Sequence, residues 1–149
     1  MILQDPQTSL NPVFSIGNQV MEALGESHKF ARKEMVSRAI DALRNVRVAA
    51  PERRMSDYPH QMSGGMKQRV IGAIAISSTP KVIIADEPTT ALDVTIQLQY
   101  LELLREIQQE TGLAIIFITH DFGIVARMCD RVAVMYAGRI IESADVRTL

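Results

Sequence analysis

A chain of 149 residues, 47% apolar and 22% charged, can bury one hydrophobic core, which excludes a low-complexity, collagen-like or disordered polypeptide. Sixteen Lys and Arg face 17 Asp and Glu, so the net charge of −1 provides no global basic field and argues against a dedicated nucleic-acid binder. The longest apolar runs, 70–76 and 113–118, fall short of the roughly 18 residues that a membrane span needs. The N-terminal MILQDPQ has neither a basic n-region nor an apolar h-region, so no secretory signal is expected. The lone Cys129 permits no internal disulfide and suggests a reducing compartment.

In chain order, residues 1–3 read as the tail of a strand that stops at Gln4-Asp5-Pro6. A polar loop follows, with Asn11-Pro12 as a turn signal. From about 29 to 47 the pattern is helical, with Val36, Ala39, Ile40 and Leu43 on one face. The local basic cluster there (Lys29, Arg32, Lys33, Arg38, Arg44, Arg47) reads as a solvated helix face. Residues 48–62 hold two prolines and few core candidates, so they are expected to be loop. Ser63 opens a helix with Met66, Val70, Ala73, Ile74 and Ser77 in a stripe, ended by Thr79-Pro80.

KVIIAD (81–86) and LAIIFIT (113–119) are continuous apolar runs, as expected of parallel strands covered on both faces. Between them, Asp93 can cap a helix that buries Ile96, Tyr100, Leu103, Leu104 and Ile107 and ends at Gly112. Leu98 and Leu101 fall on its opposite side. Asp121 can cap a short helix with Phe122, Val125, Ala126 and Cys129 buried, making Cys129 structural rather than reactive. RVAVMY and RIIES around Ala137-Gly138 predict an antiparallel hairpin. Alternating strands and helices imply an α/β fold with a mostly parallel sheet.

Four places carry chemistry. Asp86 and Glu87 end a buried strand, at the rim where open parallel sheets bind ligands. Two acids there suit a metal ion and a general base, and Mg²⁺ takes few carboxylates beside waters and phosphate oxygens. Ser63, Gly64 and Gly65 start a helix, where free N–H groups favour an anion and no Cβ obstructs its approach. His120 and Gln4 each follow an apolar strand and reach the same rim. Taken alone, each feature is more often an ordinary cap or loop residue.

Their order is specific, and the chain resembles the nucleotide-binding subunits of ATP-binding-cassette (ABC) transporters. The resemblance runs through LQDPQTSLNP, MSGGMKQRV, VIIADEPTTALDV, IIFITHD and RVAVMYAGRIIE, nearly the whole chain. YPHQMSGGMKQR and ADEPTTALDVTIQ resemble most the oligopeptide, dipeptide or nickel importer branch, in which Met66 stands where other members have glutamine. The resemblance implies a P-loop NTPase-like, mostly parallel sheet with an ABC helical subdomain and a C-terminal β-hairpin, lacking the P-loop strand and helix. On that basis residues 1–149 are part of a nucleotide-binding domain. About 10–75 would form the helical, signature-bearing subdomain, and 1–6 with 80–149 half of the catalytic core.

The resemblance also implies roles. Gln4 matches the Q-loop glutamine, which contacts Mg²⁺ or water and couples the nucleotide to the membrane subunit. Ser63, Gly64, Gly65 and Met66 match the signature covering the γ-phosphate of ATP on the opposite subunit. Asp86 matches the Walker B aspartate on Mg²⁺, Glu87 the general base, Asp93 the end of the D-loop, and His120 the switch histidine at the γ-phosphate. The implied cofactors are ATP and Mg²⁺, and the implied reaction is hydrolysis of ATP to ADP and phosphate. The implied partners are a second ABC ATPase subunit in a homo- or heterodimer, transmembrane permease subunits and, indirectly, an extracytoplasmic solute-binding protein, with no nucleic acid. The implied location is the cytoplasmic face of the plasma (inner) membrane, as a peripheral subunit.

One departure is large. Lys29, Lys33, Lys67 and Lys81 follow His28, Arg32, Met66 and Pro80, so the G-x-x-x-x-G-K-[ST] of a P-loop is absent. The expectation is an N-terminally truncated cassette, the C-terminal part of an interrupted or mis-started gene. The alternative is a catalytically inactive pseudo-ATPase that lends its signature face to a partner. A soluble ABC ATPase of DNA repair or translation fits less well, since no coiled-coil insertion or tandem cassette is seen. Loss of the P-loop strand is also expected to leave a hydrophobic strand edge uncovered.

Overall fold

The computed structural model describes residues 1–27 and 30–148. In chain order the elements are α1 (Pro6–Ser9), α2 (Ile16–Ser27), α3 (Arg32–Asn45), α4 (Pro51–Arg54), α5 (Gly64–Ser77), β1 (Val82–Asp86), α6 (Val94–Thr111), β2 (Ala114–Ile118), α7 (Phe122–Met128), β3 (Arg131–Tyr136) and β4 (Arg139–Asp145). Single 3₁₀ turns lie at Pro59–Gln61 and Val146–Thr148.

Side-chain caps set the helix starts. Ser63 Oγ accepts the Met66 N–H at 3.3 Å at the head of α5. Asp93 Oδ1 accepts from Thr95 and Ile96 at 3.1 and 3.0 Å at the head of α6, and Asp121 caps α7 through Gly123 at 2.7 Å. Gly112 closes α6 with φ +69°, a left-handed conformation that glycine adopts without a Cβ penalty. Ala137 and Gly138 are both at positive φ, as a tight primed hairpin turn between β3 and β4 requires.

β1 pairs in parallel with β2 from Val82↔Ala114 to Asp86↔Ile118. Its other edge carries a single parallel bridge to Ile2, so the strand tail expected at 1–3 is present at one residue. β3 and β4 form a separate antiparallel sheet with an irregularity at Val134/Met135. The fold is therefore mixed α/β with a parallel sheet and a C-terminal hairpin. Among the described residues, β2, β3 and β4 each keep one edge without a strand partner.

Several expectations need correction. The 4–15 loop contains α1. α2 was not foreseen, and α4 and a 3₁₀ turn interrupt the 48–62 loop, where Val48 and Met62 are buried. The basic helix begins at Arg32 rather than near 29; Lys29 lies outside the described residues. Leu101 is in fact 1% exposed, whereas Leu98 is exposed, because the buried arc of α6 is wider than one stripe. In α7 the buried residue is Ile124, and Phe122 is exposed. Cys129 is half-buried, and burial, then the Asp130 charge, push its thiol above the ordinary value, so it remains a poor nucleophile.

The largest correction concerns the strands. Ile83 and Ala85 of β1 are buried, while Ile115 and Phe117 of β2 pack against the same core. Val82, Ile84, Ile116 and Ile118 point to the opposite side and are exposed. An unbroken apolar run cannot distinguish a strand covered on both faces from one whose second covering layer is not supplied by these residues. The two faces should respond differently to substitution. Ile83→Ala, at 1% exposure, is expected to cost about 2–5 kcal/mol of stability. Ile116→Thr, at 53% exposure, should stay within about 0.5 kcal/mol. Urea unfolding of the two variants checks the difference, and equal losses would refute it.

Candidate functional site

The rim of the parallel sheet is assembled by backbone pairing. Ile2 N–H donates to Ile84 O at 2.8 Å, and Asp86 N–H donates to Ile2 O at 2.9 Å. On the other side, Glu87 N–H donates to Ile118 O at 2.8 Å. These bonds bring the residues that follow the three segments (Gln4, Glu87 and His120) to one place.

Their side chains meet there. Gln4 Nε2 donates to Glu87 Oε2 at 3.0 Å, and Thr90 Oγ1 donates to the same oxygen at 2.9 Å. His120 Nδ1 lies 2.9 Å from Glu87 Oε1. A carboxylate only accepts, so Nδ1 carries the proton and Nε2 faces away from this bond. The two oxygens of an ionised carboxylate offer about four lone-pair sites. Three are used here, and the free one is on Oε1. The His120 ring bonded to Glu87, then the Thr90 hydroxyl, hold its carboxyl below the usual carboxylate range. Partial burial opposes them, and Gln4 adds a smaller lowering.

The backbone of Glu87 is unusual, with φ +42° in a non-glycine residue. The conformation is held by the pairing to Ile118 O and by Thr90 N–H donating back to Glu87 O at 3.3 Å. Asp86 is half-buried at the end of β1, and among the described residues its carboxylate has no hydrogen-bond partner. No group of three or more His, Cys, Asp or Glu converges among the described residues.

Ser63, Gly64, Gly65 and Met66 form the first turn of α5 and its cap. A Cβ on Gly64 would meet nothing within 4 Å, so its backbone is open to approach. A Cβ on Gly65 would sit 2.8 Å from Ile96 Cγ2. That second glycine is therefore required by packing against α6, whose cap is Asp93, and not only for clearance of a ligand. Among the described residues no hydrogen bond joins this turn to Glu87 or His120. The site residues thus fall into a rim cluster (Gln4, Asp86, Glu87, His120) and a helix-start cluster (63–66 with Asp93). Sequence reasoning missed Thr90, although a hydroxyl three residues after the acid across a turn is a readable signal. It also missed Lys67, a buried lysine whose Nζ donates to Gln7 at 2.9 Å.

A mixed α/β fold with two acids at the rim of its parallel sheet and a glycine turn at a helix start has the outline of an ATP-binding cassette, and comparison gives the family. Residues 1–90 match the ABC transporter family, and the chain belongs to it. Over 149 residues it is 54% identical to a probable peptide ABC transporter ATP-binding protein of Sinorhizobium fredii, covering 100% of this chain and 44% of that protein. It is 52% identical over 146 residues to the oligopeptide transport ATP-binding protein OppD of Bacillus subtilis, covering 98% of this chain and 41% of that protein. The chain thus spans less than half the length of these relatives. Among solved structures, the ATP-binding cassette MJ0796, dimeric in a post-hydrolysis state with ADP and Pi, superposes with a TM-score of 0.84 at 27% identity, over 98% of this chain and 62% of that one. CbiO1 of Clostridium perfringens, part of the ABC transporter complex cbiONQ, gives 0.83 at 34% identity over 99% and 57%.

The lowered Glu87 value sets the direction of a pH effect. Its contacts stabilise the fold above the ordinary carboxylate value of about 4.3 and are lost as pH falls through the lower folded value. Urea midpoints of the wild type and Glu87→Gln should differ most above about pH 5 and converge in acid. A difference independent of pH would contradict the hydrogen-bonded carboxylate.

Proposed function

We propose that these residues supply the Walker B, switch and signature parts of an ATP-hydrolysing, energy-coupling subunit of a peptide- or nickel-type ABC importer. The observation that carries the reading is the Glu87 carboxylate, held by Gln4, Thr90 and His120 with one lone pair left on Oε1. That lone pair can accept from the attacking water, and three fixed donors orient the carboxylate toward it. Asp86, and Gln4 through its side-chain carbonyl, would hold Mg²⁺. When bound, Mg²⁺ neutralises phosphate charge. His120, with Nδ1 donating to Glu87, can donate to a phosphate oxygen only by bringing a second proton on Nε2 or by leaving Glu87. The open turn at Gly64 would cover the γ-phosphate of ATP held by a second cassette, with Asp93 at the same interface.

The roles of all nine residues, and the division into a helical subdomain at about 10–75 and a core half at 1–6 and 80–149, belong to this proposal. So do the partners: a second ABC ATPase subunit, the permease subunits that the 4–15 segment would meet, and a solute-binding protein acting through them. The peptide assignment rests on the relatives' names and the wording of the signature and Walker B segments. Among the described residues no helix is long and apolar enough to cross a membrane; a peripheral place on the cytoplasmic face belongs to this proposal.

A second reading is that these 149 residues, which contain no Gly-Lys dipeptide, lend a signature face and do not hydrolyse ATP themselves. Without the P-loop lysine and its nest of N–H groups, the triphosphate has no main cradle among these residues. The 149-residue chain alone is therefore expected to show no measurable Mg²⁺-dependent ATP hydrolysis. Mixed with a complete cassette whose own signature serine has been replaced, it should restore turnover. Intrinsic activity abolished by Glu87→Gln would overturn the inactive reading, and failure to restore the partner's turnover would overturn the signature-face reading.

A further inference from the structure

Lys67 is 8% exposed, yet among the described residues no carboxylate lies within ion-pair distance of it. Its Nζ donates to the Gln7 side-chain carbonyl at 2.9 Å. An ammonium with an amide as its acceptor gains less than one with a carboxylate, so the contact is weak evidence of stability and stronger evidence of placement. The placement is informative on both sides. Lys67 N–H donates to Ser63 O at 3.0 Å, one turn above the cap of α5. Gln7 lies in α1, a four-residue helix too short to persist on its own. Three residues before Gln7, Gln4 donates to Glu87. Ile2, Pro6 and Leu10 bury the floor of this segment, and Asp5 caps α1 through the Gln7 N–H at 2.8 Å. Lys67 provides a polar tie to α5 from above.

We propose that Lys67 is a positioning residue that ties the Gln4-bearing segment to the first turn of α5, so that the rim cluster and the helix-start cluster are held as one unit. The functional weight of this tie rests on the roles proposed above for Gln4 and Ser63. The tie itself is a property of the 149-residue chain.

The test is ¹⁵N relaxation and side-chain amide NMR on that chain. Lys67→Met and Gln7→Ala should each lower the order parameters of the 7–9 amides from about 0.85 to below about 0.6. Each should also move the Gln4 side-chain amide resonances toward those of a solvated glutamine, with β1 and α6 unchanged. Gln7→Glu, which keeps an acceptor for the ammonium, should retain the wild-type values. Gln7 is exposed, so Gln7→Ala keeps the test available if Lys67→Met does not fold. Unchanged order parameters and Gln4 resonances in Gln7→Ala would overturn the proposal, and so would equal loosening of β1 and α6. Neither readout requires a partner. Failure of the wild-type chain to restore a partner's turnover would therefore count against the functional reading and leave the tie standing.

Discussion

The two-sided pairing of β1 is the constraint on which the site depends. With Ile2 on one edge and β2 on the other, the ends of three segments are brought level by backbone hydrogen bonds. Gln4, Glu87 and His120 are 83 and 33 residues apart in sequence along their contacts, and no local feature would bring them together. Parallel strands place their C-terminal ends on the same side, so the residue after each strand reaches the same rim. Side-chain chemistry is then added to a position already fixed by the main chain.

The helix-start cluster has a different origin. Ser63 and Asp93 are ordinary caps, and Gly65 lets α5 approach Ile96 of α6 closely. Here one residue type meets two demands, since the same lack of a side chain permits helix packing and leaves the backbone clear. The rim is held by main-chain pairing and the glycine turn by packing. Gln7 and Lys67 connect the two through side chains.

The elements legible in the sequence were those set by local rules. Capped starts at Ser63, Asp93 and Asp121, the Gly112 stop and the Ala137-Gly138 turn each depend on one residue and its near neighbours. Burial was less legible because it depends on what covers an element. The same isoleucine run in β1 buries Ile83 and exposes Ile84, and hydrophobicity does not say which layers exist. α2 was missed although Ile16, Val20 and Leu24 recur at helical spacing and are buried, because Gly17 and Gly25 weaken its helix propensity. At the site, residue types and order pointed to the rim, whereas Thr90, Lys67 and the packing role of Gly65 required knowing which chain segments meet.

The left-handed backbone of Glu87 has one more consequence. For an L-residue such a conformation costs about 1–2 kcal/mol relative to the right-handed region, and glycine would relieve it. Yet glycine would remove the carboxylate that Gln4, Thr90 and His120 all address. Selection for folding alone and selection for the carboxylate therefore pull this position in opposite directions. Under the role proposed for Glu87, homologues that keep the fold without that role would be free to drift toward glycine or asparagine at position 87.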